Sequence, residues 1–307
     1  MLDFKELSIE DIPLIKPFYN KPDNRTCDNT VGGIFVWRDY YKTRYAIVDK
    51  TLIMKVELAG KTAFTVPGGN LEHAAELICE YTRSLDIPTI ICLATENDIA
   101  KLKELYDCIV CEERDLADYI YFAEDLAYMR GRKYSGQRNH INYFMKEYPD
   151  FEFRTIDSNT LPDVFKFYEN YMSSVEKDSE SFKAEAKMMP EVLYNINKYG
   201  FDTLALYAGG KVVAFAIGER LGDTLFEHIE KADSNVRGAY QMIASGFART
   251  YIDGVTYVNR EDDAGDMGLR KSKLSYHPCE ILMKYSVKIG EKHSSSEKIG
   301  EKVSRLA

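Results

Sequence analysis

TLALYAGGKVVAFAIGERLGDTLFEHIEKA, residues 203–232, is the stretch on which the reading of this chain turns. Three apolar runs, Thr203–Tyr207, Val212–Gly218 and Thr224–Lys231, are separated by Gly209-Gly210 and by Leu221-Gly222-Asp223. Glycine supplies the backbone freedom of a tight turn, and the runs are rich in strand-forming residues, so the stretch predicts an antiparallel meander. Asp233-Ser234 then caps a helix over residues 236–251, followed by a strand at Val255–Asn259, a short helix at Asp266–Leu274 and a strand at Glu280–Tyr285. Upstream lie a strand at Phe151–Ile156 and helices over Leu161–Ser174 and Lys183–Ile196. In the first of these, Val164, Phe167, Tyr168 and Tyr171 share one face.

The first half of the chain repeats this order. A strand at Asp3–Leu7 precedes a helix capped by Ser8, and a second helix covers Val31–Tyr41. Strands at Tyr45–Val48, Leu52–Glu57 and Thr62–Val66 form the meander, and Pro67-Gly68-Gly69-Asn70 leads into a helix over Leu71–Ser84. A strand (Thr89–Leu93), a helix (Glu96–Leu105) and strands near Cys108–Cys111 and Tyr119–Phe122 complete it. The doubled order predicts an α/β (α+β) chain of two tandem domains, each a mixed, mostly antiparallel sheet flanked by helices. The expected parts are residues 1–123, a helical connector over 124–150, and a second domain over 151–287. Residues 288–307, where Lys288-Ile289-Gly290-Glu291-Lys292 recurs as Lys298-Ile299-Gly300-Glu301-Lys302, read as a flexible polar tail.

Composition narrows the function classes. With 307 residues, 45% of them hydrophobic, the chain has material for two packed cores. Its formal net charge of −9 argues against a general nucleic-acid binder, while leaving room for a local basic patch. No run of about 18 apolar residues is present, and Met1–Glu6 does not open a signal peptide, so a cytoplasmic protein without a transmembrane segment is expected. The six cysteines are scattered, and Cys108-Ile109-Val110-Cys111 reads as a buried strand rather than half a zinc site. The five histidines show no ligand spacing, so no metal is expected.

Three stretches carry a family resemblance. They are Lys133-Tyr134-Ser135-Gly136-Gln137-Arg138-Asn139-His140, Glu227-His228-Ile229-Glu230-Lys231-Ala232-Asp233 with Arg237-Gly238-Ala239, and Val258-Asn259-Arg260-Glu261-Asp262-Asp263 with Gly268-Leu269-Arg270-Lys271-Ser272-Lys273. Together they resemble the phosphatidylglycerol lysyltransferase C-terminal-domain-like family, within the GNAT (acyl-CoA N-acyltransferase) fold. The resemblance implies two GNAT-like domains, the first structural and the second bearing the site. It further implies transfer of an acyl or aminoacyl group from an activated ester or thioester to an amine or hydroxyl acceptor on a small molecule, lipid or peptide. Acyl-CoA enzymes of this fold carry a (Gln/Arg)-x-x-Gly-x-(Gly/Ala) turn whose N–H groups hold a pyrophosphate. Here Asn235-Val236-Arg237-Gly238-Ala239-Tyr240 keeps only Gly238 in register, which weights aminoacyl-tRNA over acyl-CoA as donor. No cofactor is required beyond that donor.

Amine acylation needs a base, and Glu230, in an apolar strand, or Glu261, at a strand end, is the expected catalytic carboxylate. Asn259 and Arg260 sit against that strand end, where ligands of such sheets bind. Arg237, Gly238, Arg270 and Lys273 are expected around the donor, the last two sharing a helix face at i and i+3. Arg130, Arg132, Lys133 and Arg138 in the connector form an expected landing patch for tRNA. An inactive GNAT-fold protein that binds a small anionic ligand is the alternative.

Overall fold

The computed structural model describes residues 2–21, 23–58, 60–174 and 180–293. Along the chain, β1 (Lys5–Glu6), α1 (Ile12–Tyr19) and α2 (Val31–Phe35) precede a meander of β2 (Arg44–Val48), β3 (Thr51–Leu58) and β4 (Lys61–Thr65). Then come α3 (Leu71–Ser84), β5 (Thr89–Ala94), α4 (Glu96–Lys103), β6 (Tyr106–Glu112) and β7 (Asp118–Phe122). The connector holds α5 (Ala123–Tyr128) and α6 (Ser135–Glu147). The second half runs β8 (Glu152–Arg154), α7 (Leu161–Ser174), α8 (Glu180–Tyr194), α9 (Ile196–Tyr199), β9 (Asp202–Ala208), β10 (Lys211–Leu221) and β11 (Thr224–Ala232). It closes with α10 (Ala239–Thr250), β12 (Tyr257–Asn259), α11 (Met267–Leu274), β13 (Glu280–Leu282) and β14 (Tyr285–Lys292).

Two seven-stranded sheets result, ordered β1-β2-β3-β4-β5-β14-β6 and β13-β7-β12-β11-β10-β9-β8. Only β4–β5 and β11–β12 pair in parallel. Both sheets are mixed, mostly antiparallel and flanked by helices, the fold class expected of two GNAT-like halves. The chain is divided differently from the expected boundaries at 123 and 151. One compact unit combines the described residues up to Leu7, Tyr41–Leu116 and those from Met283 onward; the other combines Ser8–Tyr40 and Ala117–Leu282. Each half thus lends a strand to the other half's sheet. β7 pairs with β12 and β13, and β14 inserts between β5 and β6.

In the first unit, α3 buries Ala74, Ala75 and Ile78 against Ile53, Phe64 and Ile91. Its start is fixed by Asn70, whose side chain accepts the His73 N–H at 3.1 Å. In the second unit, α10 lays Ala239, Met242, Ile243 and Phe247 over Ala214, Ala216, Leu225 and Val258, with α5 and α6 completing that layer. On the opposite face of the sheet, Phe167 of α7 meets Phe215 edge-on, with ring centroids 5.9 Å apart.

The expected flexible tail is corrected in its first five residues. Val287 and Ile289 are buried, and Lys288–Lys292 lie in β14, which pairs with β5 as far as Ile289 and with β6 as far as Lys292. The alternation Tyr285, Val287, Ile289 is that of a half-buried strand; His293 follows it, its N–H donating to the Leu105 carbonyl at 2.9 Å, and 294–307 lie outside the described residues. Ending the chain after Val287 strips β5 and β6 of a shared partner. The truncated protein should lose roughly 2 kcal/mol, from Ile289 burial and lost ladder bonds, read as a lower urea midpoint. An unchanged midpoint would show that this half of β14 contributes nothing.

Candidate functional site

The site is built on an irregularity in the β10–β11 hairpin. Ile217 pairs with Ile229 and Gly218 pairs with Glu227, so His228 is an extra residue in β11, a β-bulge. Gly218 makes it possible, because a Cβ there would lie 2.0 Å from the Phe226 carbonyl oxygen. In a regular strand, residues three apart face opposite ways. The bulge puts Glu227 and Glu230 on the same face, with Ala216, while Phe226 and His228 face the other way.

β11 and β12 pair only over Thr224–Phe226 and Tyr257–Asn259. Past Asn259 the gap beside β11 is spanned by a side chain. The Arg260 guanidinium donates from Nε to Glu227 Oε1 at 3.0 Å and from Nη2 to Glu230 Oε2 at 2.8 Å. The Tyr276 ring lies 4.9 Å from its centre. Only 9%, 3% and 11% of the Arg260, Glu227 and Glu230 side chains are exposed. Burial pushes the Glu230 carboxyl well above the usual range; Arg260 opposes the rise and the Glu227 charge reinforces it. For Arg260, burial works against the charge, but the two carboxylates overcome it and raise its pKa. Glu227 Oε2 is buried with no hydrogen-bond partner. The cluster is therefore two carboxyls around one cation, a setting in which the acids titrate as a coupled pair and Glu230 holds its proton more tightly than an exposed carboxyl does.

On the opposite face, His228 stacks on Phe226 at 6.4 Å and is 2% exposed in its side chain. Its Nδ1 lies 2.7 Å from Glu261 Oε1 and its Nε2 lies 3.0 Å from Glu219 Oε1. The Gly32 N–H donates to the same Glu219 oxygen at 2.6 Å. Burial alone would lower the imidazole pKa, but the two carboxylates raise it to about 9. Glu261 has φ +58°, a left-handed backbone for a non-glycine residue, and its N–H donates to Asn259 Oδ1 at 2.6 Å. Buried Asn259 donates in turn to Asp118 Oδ2 at 2.9 Å and to the Arg25 carbonyl at 2.7 Å. Cys27, Asp28 and Asp118 bring ligand-type atoms within 4.8 Å of one another, and Cys27 donates to Asp118 from both N–H and Sγ. That trio is a hydrogen-bonded knot under Asn259.

Residues 20–288 match the family described as phosphatidylglycerol lysyltransferase, C-terminal. The chain belongs to this family. A solved conserved protein of unknown function from Bacteroides thetaiotaomicron is 33% identical, with 94% of this chain and 100% of that chain covered and a TM-score of 0.88. L-PGS from Bacillus licheniformis, 14% identical with 96% of each chain covered and a TM-score of 0.62, shares the fold. An uncharacterised protein of Mycoplasmoides gallisepticum is 26% identical over 196 residues, and the match spans 63% of its length. Among the described residues of this family member, no helix is long and apolar enough to cross a membrane.

Of the residues singled out from the sequence, Glu230, Asn259, Arg260 and Glu261 come together at the strand ends. Arg270, Lys273, Arg130, Lys133 and Arg138 are engaged within the protein. Arg270 ion-pairs with Asp263 at 2.7 Å, and Lys273 Nζ donates to the Arg260 carbonyl at 2.6 Å and to the Asp262 carbonyl. Asp263 is held to about 2: burial opposes its charge, and hydrogen bonds from Arg270, Tyr119 and the Gly265 N–H override that. Instead of jointly facing a phosphate, the two cations brace the 260–266 loop that carries Glu261. In the connector, Lys133 pairs with Asp125 at 2.8 Å, and Arg130 lies over the Tyr128 ring, 4.0 Å from Glu124. Arg138 donates to the Met129 carbonyl at 2.6 Å, closing the end of α5. Arg132 is exposed, as is Arg237, which lies over the Tyr143 ring. Acids thus offset much of the expected basic patch.

Gly238 adopts φ +92°, and a Cβ there would lie 2.4 Å from the His140 carbonyl oxygen of α6. The residue serves the packing of α10 against α6. Gly238→Val should cost roughly 2 kcal/mol or more through left-handed strain and collision with α6; a parent-like urea midpoint would refute this. Sequence reasoning passed over Glu219, and placed Glu227 and His228 only as neighbours of Glu230. Pairing Glu219 with His228 depends on the bulge, for which Gly218 inside an apolar run was the one visible sign.

Proposed function

We propose that this chain is an aminoacyltransferase that moves an aminoacyl group from a tRNA ester to a hydroxyl or amine on a lipid or peptide acceptor. The observation that carries the reading is the Glu227–Arg260–Glu230 cluster at the unpaired opening between β11 and β12, in a member of a family described as a lysyltransferase. Glu230 takes the acceptor's proton as its oxygen or nitrogen attacks the ester carbonyl carbon. The tetrahedral oxyanion forms beside the Arg260 charge. Its collapse breaks the ester C–O bond, and the proton passes from Glu230 to the departing ribose oxygen. Every bond change is covered by donor, acceptor and these side chains. The work belongs in the cytoplasm, where charged tRNA is found.

The donor choice rests on the α10 start. The turn before it departs from the pyrophosphate pattern, and α6 takes the space beside Gly238 that a close-approaching ligand would use. A polyanionic donor releases counterions, so log affinity for charged tRNA should fall linearly with log salt, by about 0.7–0.9 for each phosphate contact. Arg132→Glu with Arg237→Glu should flatten that slope without altering the melt, since both side chains are exposed. Stabilisation by a CoA thioester, with no response to charged tRNA, would overturn the donor assignment.

A further inference from the structure

Glu261 is held from three directions. His228 fixes its Oε1 at 2.7 Å, Asn259 takes its N–H, and its backbone sits in the left-handed region at φ +58°. The imidazole is itself fixed from behind by Glu219, and Glu219 by the Gly32 N–H at the start of α2. A Cβ on Gly32 would lie 2.2 Å from the His228 ring, so α2 closes directly against it and leaves no space for a ligand on that side. The chain Gly32–Glu219–His228–Glu261 is buried at one end. It emerges at the other, where the Glu261 side chain is 19% exposed. None of the described hydrogen bonds uses Glu261 Oε2. A carboxylate pinned through one oxygen, with the second left open beside a strand end, is arranged to receive a cation.

An aminoacyl ester carries such a cation next to its reacting carbonyl, the free α-ammonium group. We infer that Glu219 and His228 position Glu261 to hold the α-ammonium of the aminoacyl group being transferred, so that N-blocked aminoacyl esters are rejected. This rests on the transferase reading above and divides the labour of the two carboxylates. Glu230, paired with Arg260, handles the proton, while Glu261, the next residue along from Arg260 past the end of β12, holds the amine. Glu261 is then a binding residue, and Glu219 and His228 are positioning residues acting through it.

The test is calorimetric titration of the full chain with L-lysine methyl ester and with Nα-acetyl-L-lysine methyl ester, which share a side chain and differ at the α-amine. The parent should prefer the free amine by roughly tenfold to a hundredfold, the range of a hydrogen bond to a charged group. Glu261→Gln should abolish the preference. His228→Gln should weaken the free-amine ester while leaving the acetylated one unchanged; a purely structural loss would weaken both alike. Thermal melts of each variant exclude unfolding, and Glu261→Asp should restore part of the preference. Equal binding of the two esters, or binding of neither, overturns the inference. Transfer from charged tRNA is measured on the same samples. Transfer without amine preference sinks the inference alone. Preference without transfer supports the amine site and sinks the transferase reading.

Discussion

Replacing Arg260 by Met should cost about 3–5 kcal/mol of folding stability, the scale of breaking a buried ion pair from one side. The loss arises less from the missing bonds than from what stays behind. Glu227 and Glu230 would face each other on one side of β11 with no cation between them, and Glu227 Oε2 is already unpaired. Protonation of one or both carboxyls would recover part of the loss, so the variant should be more stable at acidic pH than at pH 8. Removing all three charges together, as Glu227→Gln, Glu230→Gln and Arg260→Met, should recover most of it, because a buried ion cluster contributes little net stability over a neutral replacement. Urea unfolding of the three proteins decides the matter. A single variant as stable as the parent would mean the cluster is far wetter than its burial indicates.

The second large effect is a dependence on pH through His228. The ring faces Glu219 from β10 and Glu261 beyond β12, with the Gly32 backbone and the Phe201 and Phe226 rings around it. Its pKa rises from 6.5 to about 9. The folded state therefore binds this proton more tightly than the unfolded chain does. The stabilisation is fully present below pH 6.5 and is lost as pH rises through 9. The interval between the two values corresponds to roughly 3 kcal/mol. Glu230, also raised, drives stability in the same direction, so the informative quantity is the parent minus His228→Gln. That difference should shrink by roughly 3 kcal/mol between pH 6 and 10; a difference constant across the range would show that the ring is neutral in the folded protein.

The helices were the most legible elements. Leu71–Ser84 and Leu161–Ser174 lie where capping and periodicity put them, because both signals are local. The meanders were legible from Gly209-Gly210 and from the alternating runs. The exchange of β7 and β14 was not, since a strand's pattern shows which of its faces is buried but not which sheet receives it. Residues 288–292 read as tail rather than strand because the repeated Lys-Ile-Gly-Glu-Lys outweighed the alternation of Val287 and Ile289. Glu230, Arg260 and Glu261 stood out as charges against apolar strands. Lys273 was expected to face the donor beside Arg270, and only the fold of the 260–266 loop buries it beneath two carbonyls. The pairing of Glu219 with His228 needed a bulge that no periodicity reports.

Glu230 is the residue on which the proposed chemistry rests. The Arg260 Nη2 donates to its Oε2 at 2.8 Å, and the side-chain oxygen of a glutamine of the same shape can still accept that bond. Glu230→Gln should therefore leave the fold and tRNA binding near those of the parent. The decisive measurement is single-turnover transfer of a radiolabelled aminoacyl group from charged tRNA to phosphatidylglycerol vesicles and to an amine-bearing peptide, parent against Glu230→Gln. The account predicts transfer by the parent to one of these acceptors and a loss of about a hundredfold or more in the variant, the contribution of a positioned base. Equal rates in the two proteins, or no transfer by the parent to either acceptor, would contradict it.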